Sequence, residues 1–156
     1  MRVRAVILAA GQGIRMRSQL PKVLHPLLGR PMLRYAIDAV QGDADHKPVI
    51  VIGHGAQEIR QTFQDTAEFV IQEPQLGTAQ AVQQVEPLLK GQADLILVTY
   101  GDMPLLTAET VGKIIYAQKS YSGPVTMLTM IGQEPRGFGR VLRGDDGTVQ
   151  AIVEEA

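Results

Sequence analysis

The sequence contains no cysteine, which removes disulfides, thiolate metal sites and a cysteine nucleophile, fits a reducing compartment and points to the cytoplasm. It also lacks a surplus of either charge. Fifteen basic residues face 16 acidic ones, for a formal net charge of −1. That balance argues against a nucleic-acid surface working by general electrostatic attraction, so any phosphate binding has to be local. No apolar run approaches the ~20 residues of a membrane span, and Met1 leads through Arg-Val-Arg straight into a short apolar strand, so nothing marks secretion or a membrane. Internal repeats, low-complexity tracts and Pro/Gly/Ser linkers are missing as well. The histidines His25, His46 and His54 have no metal-ligand spacing and receive no catalytic role. What remains is a chain of 156 residues, 45% hydrophobic, long enough for one domain over 1–156 with a substantial core.

The most informative stretch present is Leu8, Ala9, Ala10, Gly11, Gln12, Gly13, Ile14, Arg15 and Met16, followed by Leu20, Pro21 and Lys22. A buried-looking strand runs there into a glycine loop that carries two cations. Gly11 and Gly13 have no Cβ, so the backbone can turn sharply and bring N–H groups to an anion. Arg15 offers a planar fork for bidentate contact with phosphate oxygens, and Lys22 a mobile point charge. Two familiar phosphate loops fail here. The dinucleotide pattern needs glycine where Met16 stands, and the Walker pattern needs Gly-Lys-Ser/Thr where 15–18 read Arg-Met-Arg-Ser. A tight turn with solvated cations fits this stretch too when it is taken alone.

Short β-branched runs at 3–8, 48–52, 68–71 and 94–99 read as strands buried on both faces, alternating with helical patterns at 31–41, 56–65 and 78–90. The first helix opens with Pro31 and sets Leu33, Ile37 and Val40 on one face. This series predicts an α/β fold, a doubly wound and mostly parallel Rossmann-like sheet with ligands at the carboxyl ends of the strands. Beyond Asp102 the pattern predicts a helix at 107–119 capped by Thr107, then strands at 123–131, 139–143 and 148–153 with a turn at 144–147. The segment 10–30 has little regular pattern, and a stretch of that length inside a compact domain points to function.

Several separated motifs now agree. Leu8 to Met16, the segment Leu20-Pro-Lys-Val-Leu-His25, the segment Gln72-Glu-Pro-Gln-Leu-Gly-Thr78, Tyr100-Gly-Asp-Met-Pro-Leu105 and Gly137-Phe-Gly-Arg140 together resemble the uridylyltransferase (pyrophosphorylase) domain of the bifunctional N-acetylglucosamine-1-phosphate uridyltransferase/glucosamine-1-phosphate acetyltransferase family. The resemblance covers essentially the whole chain in order and spacing. Cytidylyl- and guanylyltransferases share the first motif only, and the Gln-Leu-Gly-Thr segment favours uridine.

The resemblance implies a sheet of the nucleotide-diphospho-sugar transferase type and a reaction in which N-acetylglucosamine 1-phosphate attacks the α-phosphorus of UTP, giving UDP-N-acetylglucosamine and pyrophosphate. By the same resemblance Leu8, Ala9, Ala10, Gly11, Gly13 and Lys22 surround the nucleotide, and Gln72, Gly77 and Thr78 read its base. Arg15 and Lys22 carry catalytic charge, Asp102 holds Mg²⁺, and Tyr100, Gly101, Gly139 and Glu154 surround the sugar phosphate. The residue chemistry is consistent with these roles. The amide of Gln72 can donate and accept along a uracil edge, and Mg²⁺ takes one or two protein carboxylates with phosphate and water completing its shell. Taken singly, Gln72 fits a surface glutamine, Gly77-Thr78 an N-cap, Asp102 a turn aspartate, Gly139 a bend and Glu154 a solvated acid. Family members continue with further strands, with asparagines for sugar and metal and with a trimerising acetyltransferase β-helix. A chain ending at Ala156 is therefore expected to be a truncated domain whose oligomeric state is not legible. A UTP-binding module without turnover, or a transferase for another sugar or alcohol phosphate, are the alternatives.

Overall fold

The computed structural model describes residues 1–133 and 137–154. Strand β1 (Val3–Ala9) is followed by two short 3₁₀ turns (Ile14–Met16 and Lys22–Leu24) and a small ribbon, β2 (Pro26–Leu27) with β3 (Arg30–Pro31). Then come α1 (Met32–Gln41), β4 (Val49–Ile52), α2 (Ala56–Phe63), β5 (Glu68–Ile71), α3 (Thr78–Gln83), α4 (Glu86–Leu89), β6 (Leu95–Tyr100) and α5 (Ala108–Ser120). An antiparallel hairpin, β7 (Arg140–Arg143) with β8 (Val149–Val153), follows.

Four strands form a parallel sheet in the order β5-β4-β1-β6. The chain moves outward from β1 through β4 to β5, then crosses back to the other side of β1 as β6. Strand order therefore reverses beside β1, and a crevice opens there at the carboxyl ends of the strands. One face of the sheet packs Ile7, Ile50 and Ile52 against Leu33, Ile37 and Val40 of α1, Ile59 and Phe63 of α2, and Val111 and Ile115 of α5. The opposite face packs Val6, Val49 and Val51 against Ala81, Val85 and Leu89 of the α3–α4 segment. Each fully buried Val, Leu or Ile contributes roughly 1.5–3 kcal/mol relative to exposure, so both layers are strongly held. The predicted α/β architecture with helices on both faces is the one observed.

Three expectations are corrected. The helical pattern at 78–90 divides into α3 and α4, because Pro87 has no N–H to offer the carbonyl of Gln83. Burial on both faces holds for β1 and β4 but not for all four strands: in β6, Ile96, Val98 and Tyr100 are exposed beyond the reach of α3–α4. The predicted strand at 123–131 does not form. A strand needs a ladder partner, and 124–128 instead lies over β6 and α5, lining a cavity of about 470 Å³ with their apolar side chains.

Elsewhere the local rules hold. Thr107 caps α5, its hydroxyl accepting from the Thr110 N–H at 3.2 Å. Gly144 and Gly147 close the β7–β8 turn through a 2.9 Å backbone bond.

Candidate functional site

A cavity of about 680 Å³ opens at the carboxyl ends of β1 and β6. The glycine loop forms one wall. Gly13 takes a left-handed conformation (φ 62°, ψ 37°), and the Met16 N–H donates to its carbonyl at 2.8 Å, closing the 3₁₀ turn that carries Arg15. A Cβ on Gly13 would lie 2.6 Å from Lys22 Cβ, and one on Gly55 (φ 65°) would lie 2.1 Å from Pro21 Cγ. Two left-handed glycines thus seat the Pro21-Lys22 pair from either side, and this explains how an irregular segment delivers a lysine to a fixed place.

The Lys22 ammonium hydrogen-bonds to Asp102 Oδ2, with both side chains about two-thirds buried. Asp102 stands just past β6, after Gly101, whose N–H donates to the Leu8 carbonyl at 2.9 Å. A Cβ on Gly101 would meet Leu33, Val23 and Ala9 at 3.0–3.4 Å, so the close packing beneath the site favours glycine at that position. Arg15 is exposed, and among the described residues it makes no hydrogen bond or ion pair. It lines the cavity as an uncommitted cation.

On the opposite wall, Gln72 extends the ladder by one bond, its N–H donating to Ile52 O at 2.8 Å. Its side chain is buried at 6% exposure, and Nε2 donates both to Gly77 O at 3.0 Å and to Gln80 Oε1 at 2.6 Å. The amide expected to offer both a donor and an acceptor therefore has its donor atom engaged inside the protein. Its oxygen takes no hydrogen bond among the described residues. Gly77 and Thr78 open α3, whose first N–H groups have no intrahelical acceptor.

Leu8, Ala9, Ala10, Gly11, Gly13, Arg15, Lys22, Gln72, Gly77, Thr78, Tyr100 and Asp102 all line this one cavity. Gly101 lies buried beneath it. Gly139 and Glu154 are neighbours at the open end of the β7–β8 hairpin, where a Cβ on Gly139 would sit 3.4 Å from the Glu154 carboxylate, and neither lines the cavity. Gln12, Ile14, Val23 and Ala81 line the cavity too without having been named as site residues, and two further polar residues were not singled out. Gln75 lines the cavity from the loop after Gln72, and Gln80 reaches Gln72 from the first turn of α3. Neither has a spacing signal, because the meeting of strand end and helix start depends on how 73–77 doubles back.

Among the described residues Asp102 is the only carboxylate lining the cavity, and no group of three His, Cys, Asp or Glu side chains gathers as a metal centre. The local chemistry is a carboxylate about two-thirds buried and already facing a cation, beside a loop of free N–H groups. Such a set can hold an anionic, phosphorylated ligand and contribute one hard oxygen to a divalent cation.

A family model described as the MobA-like NTP transferase domain matches residues 5–144. The bifunctional protein GlmU of Exiguobacterium sp. is 45% identical over 150 residues, which cover 96% of this chain and 33% of that protein. The GlmU of Bacillus subtilis is 43% identical with the same coverage. The chain spans about a third of the length of these relatives. A nucleotidyl transferase from Methanothermobacter superposes with a TM-score of 0.63 at 27% identity, over 74% of this chain and 57% of that one. The Mycobacterium tuberculosis protein Rv0371c superposes at 0.67 and 22% identity, over 77% and 62% of the two chains, a likeness of fold alone.

Proposed function

Because the chain belongs to the family of MobA-like NTP transferase domains, we propose that its cavity binds UTP and passes the uridylyl group to N-acetylglucosamine 1-phosphate, releasing pyrophosphate. The observation that carries this reading is the convergence, in one cavity, of the glycine loop, Lys22, Asp102, Gln72 and Gly77-Thr78. The GlmU relatives support the same choice of substrates.

In this reaction an oxygen of the sugar phosphate attacks the α-phosphorus, a new P–O bond forms, and the bond to the β-phosphate breaks with its electron pair leaving on pyrophosphate. The nucleophile is already an anion near neutral pH, so no protein nucleophile and no proton transfer are needed. Catalysis rests on in-line positioning and on neutralising charge as it builds. Loop N–H groups of 11–13 hold phosphate oxygens, and Arg15, free of any partner among the described residues, meets the charge on the leaving pyrophosphate. Lys22 turns from Asp102 to the triphosphate once that anion arrives. Tyr100, above the buried Gly101, borders the space for the sugar phosphate, with Gly139 and Glu154 assigned to the sugar.

A divalent cation, Mg²⁺ in our reading, fits Asp102 as an oxygen ligand, with phosphates and water supplying the remainder. The Rv0371c fold has been solved as a manganese complex. When bound, the cation would draw charge from the α-phosphate and the leaving group. No helix among the described residues is long and apolar enough to cross a membrane.

The test is pyrophosphate release from UTP and N-acetylglucosamine 1-phosphate. Arg15→Ala is expected to lower kcat by about 10²-fold, the usual loss for one charge-stabilising donor, and turnover within a few-fold of the parent sinks the role of Arg15. A second reading, a UTP-binding module without turnover, is favoured by two observations: Gly139 and Glu154 lie outside the cavity, and among the described residues Asp102 is the one carboxylate within it. Calorimetric binding of UTP without pyrophosphate release selects that reading.

A further inference from the structure

We propose that Gln80 sets the base preference of the site by fixing which end of the Gln72 amide faces the nucleotide. This rests on reading the cavity as a uridine-nucleotide site with Gln72 at the base. Two acceptors converge on Gln72 Nε2, the Gly77 carbonyl at 3.0 Å and Gln80 Oε1 at 2.6 Å. The Gly77 carbonyl also accepts the Ala81 N–H at 3.1 Å, so Gln80 supplies the acceptor committed to Gln72 alone. With the amide nitrogen engaged, the end of Gln72 left to a ligand is the oxygen, a pure acceptor.

Uracil and cytosine differ at this point. Uracil N3 carries a proton and donates, whereas cytosine N3 is a lone pair. An outward-facing Oε1 opposite N3 therefore completes a hydrogen bond with uracil and sets two acceptors against each other with cytosine. Reversing the amide to suit cytosine would set Oε1 against the fixed carbonyl of Gly77 and would need the Gln80 amide to reverse with it, both around a residue only 6% exposed. Such mispaired buried polar atoms cost about ten- to hundredfold in affinity. Gln80 touches neither base nor phosphate in this account. It is a positioning residue, acting through Gln72.

The experiment measures Kd for UTP and for CTP, each with Mg²⁺, by calorimetry on the parent chain and on three variants. Added or removed charge at 80 acts equally on the two triphosphates, so the CTP/UTP ratio isolates base reading. Gln80→Glu keeps an acceptor facing Nε2 and is expected to keep the parent's ratio. Gln80→Leu removes the acceptor, and the ratio is expected to fall by about tenfold, one hydrogen bond's worth of discrimination. Gln80→Lys presents a donor that recruits Oε1 inward, and the ratio should fall further, toward CTP. The inference is overturned if the leucine and lysine variants hold the parent's ratio within about twofold, less than one hydrogen bond. Equal loss of both nucleotides overturns it as well, since that marks a merely structural glutamine. A parent chain that binds UTP and CTP alike overturns both this inference and the uridine assignment, whereas a selective parent with unselective dependence on residue 80 removes only the role of Gln80.

Discussion

The parallel sheet β5-β4-β1-β6 and the hairpin β7–β8 are both β structure, yet they are held by different means. In the sheet, β1 and β4 are almost wholly buried, and β1 pairs residues far away in sequence, such as Val3 with Leu95 and Val6 with Val49. In the hairpin, partners are sequence neighbours, Arg140 with Val153 and Val141 with Ile152, and every residue of β8 is exposed. The cavity takes its walls from the first region: the glycine loop leaves β1, Asp102 follows β6 and Gln72 extends β5. Two of the four sugar-phosphate candidates sit on the second. On the proposed reading, the triphosphate side of the site is therefore positioned by a packed core, while the residues assigned to the sugar rely on a locally closed ladder.

Core deletion should separate the two regions most strongly. Leu33 is fully buried between α1 and the sheet and lies under Gly101. Leu33→Ala is expected to cost about 2–5 kcal/mol of unfolding free energy, read from urea denaturation. Ile152, at 55% exposure in β8, should change stability by no more than about 0.5 kcal/mol when replaced by alanine. Equal losses from the two changes would break the distinction between an anchored sheet and a self-closed hairpin.

The next effect concerns the pair that the sheet region brings together. Lys22→Ala removes the ammonium from Asp102 and one cation from the proposed phosphate site. Its two consequences have opposite signs. UTP affinity should fall about tenfold, the scale of one charge-assisted contact. Affinity for Mn²⁺ alone should rise about two- to threefold, the modest value of a partly exposed ion pair, because Asp102 loses a competing cation. Calorimetry reads the first and Mn²⁺ electron paramagnetic resonance the second. A fall in both would mean that Lys22 supports Asp102 and does not compete for it.

What could be read from the sequence follows the same division. Runs such as Val-Ile-Val-Ile at 49–52 and the Leu33, Ile37, Val40 stripe carry their own period, so the sheet strands and α1 lie within a residue of where the pattern puts them. The shared placement of the glycine loop, Gln72 and Asp102 was also legible, because each follows a strand whose end the fold brings to one edge, whereas Lys22 arrives there through the irregular segment after Gly13. The segment 123–131 has strand-like composition, but pairing is a property of two segments, and β propensity at one cannot supply the other. Gln80 was invisible for a related reason: its importance lies in an amide eight residues away, reached across a loop whose path no periodicity encodes. The break between α3 and α4 was legible in principle, since Pro87 marks it.

The smallest expected effect tests the comparison through acid. Asp94 and Asp146 both have pKa values held below the ordinary aspartate value, by bonds of different reach. At Asp94 the main cause is the Arg2 backbone N–H, donating to the carboxylate at 2.6 Å across 92 positions and pinning the start of β1 to the start of β6. The Arg2 guanidinium adds to it. At Asp146 the cause is the Thr148 hydroxyl at 2.7 Å, followed by the Thr148 N–H, both within the hairpin turn. A carboxylate with a depressed folded-state pKa contributes stability that is fully present above its unfolded value and is lost as pH falls through the folded one. Both groups thus favour the fold at neutral pH and release it in acid. Asp94 closes contacts between distant segments, so Asp94→Asn should flatten the acid limb of global stability, read as urea midpoints taken downward from neutral pH. Asp146 closes a turn that the core does not need, so Asp146→Asn should leave those midpoints alone and speed hydrogen exchange at the Thr148 amide. An acid limb flattened equally by both substitutions would mean that the hairpin unfolds with the sheet as one cooperative unit.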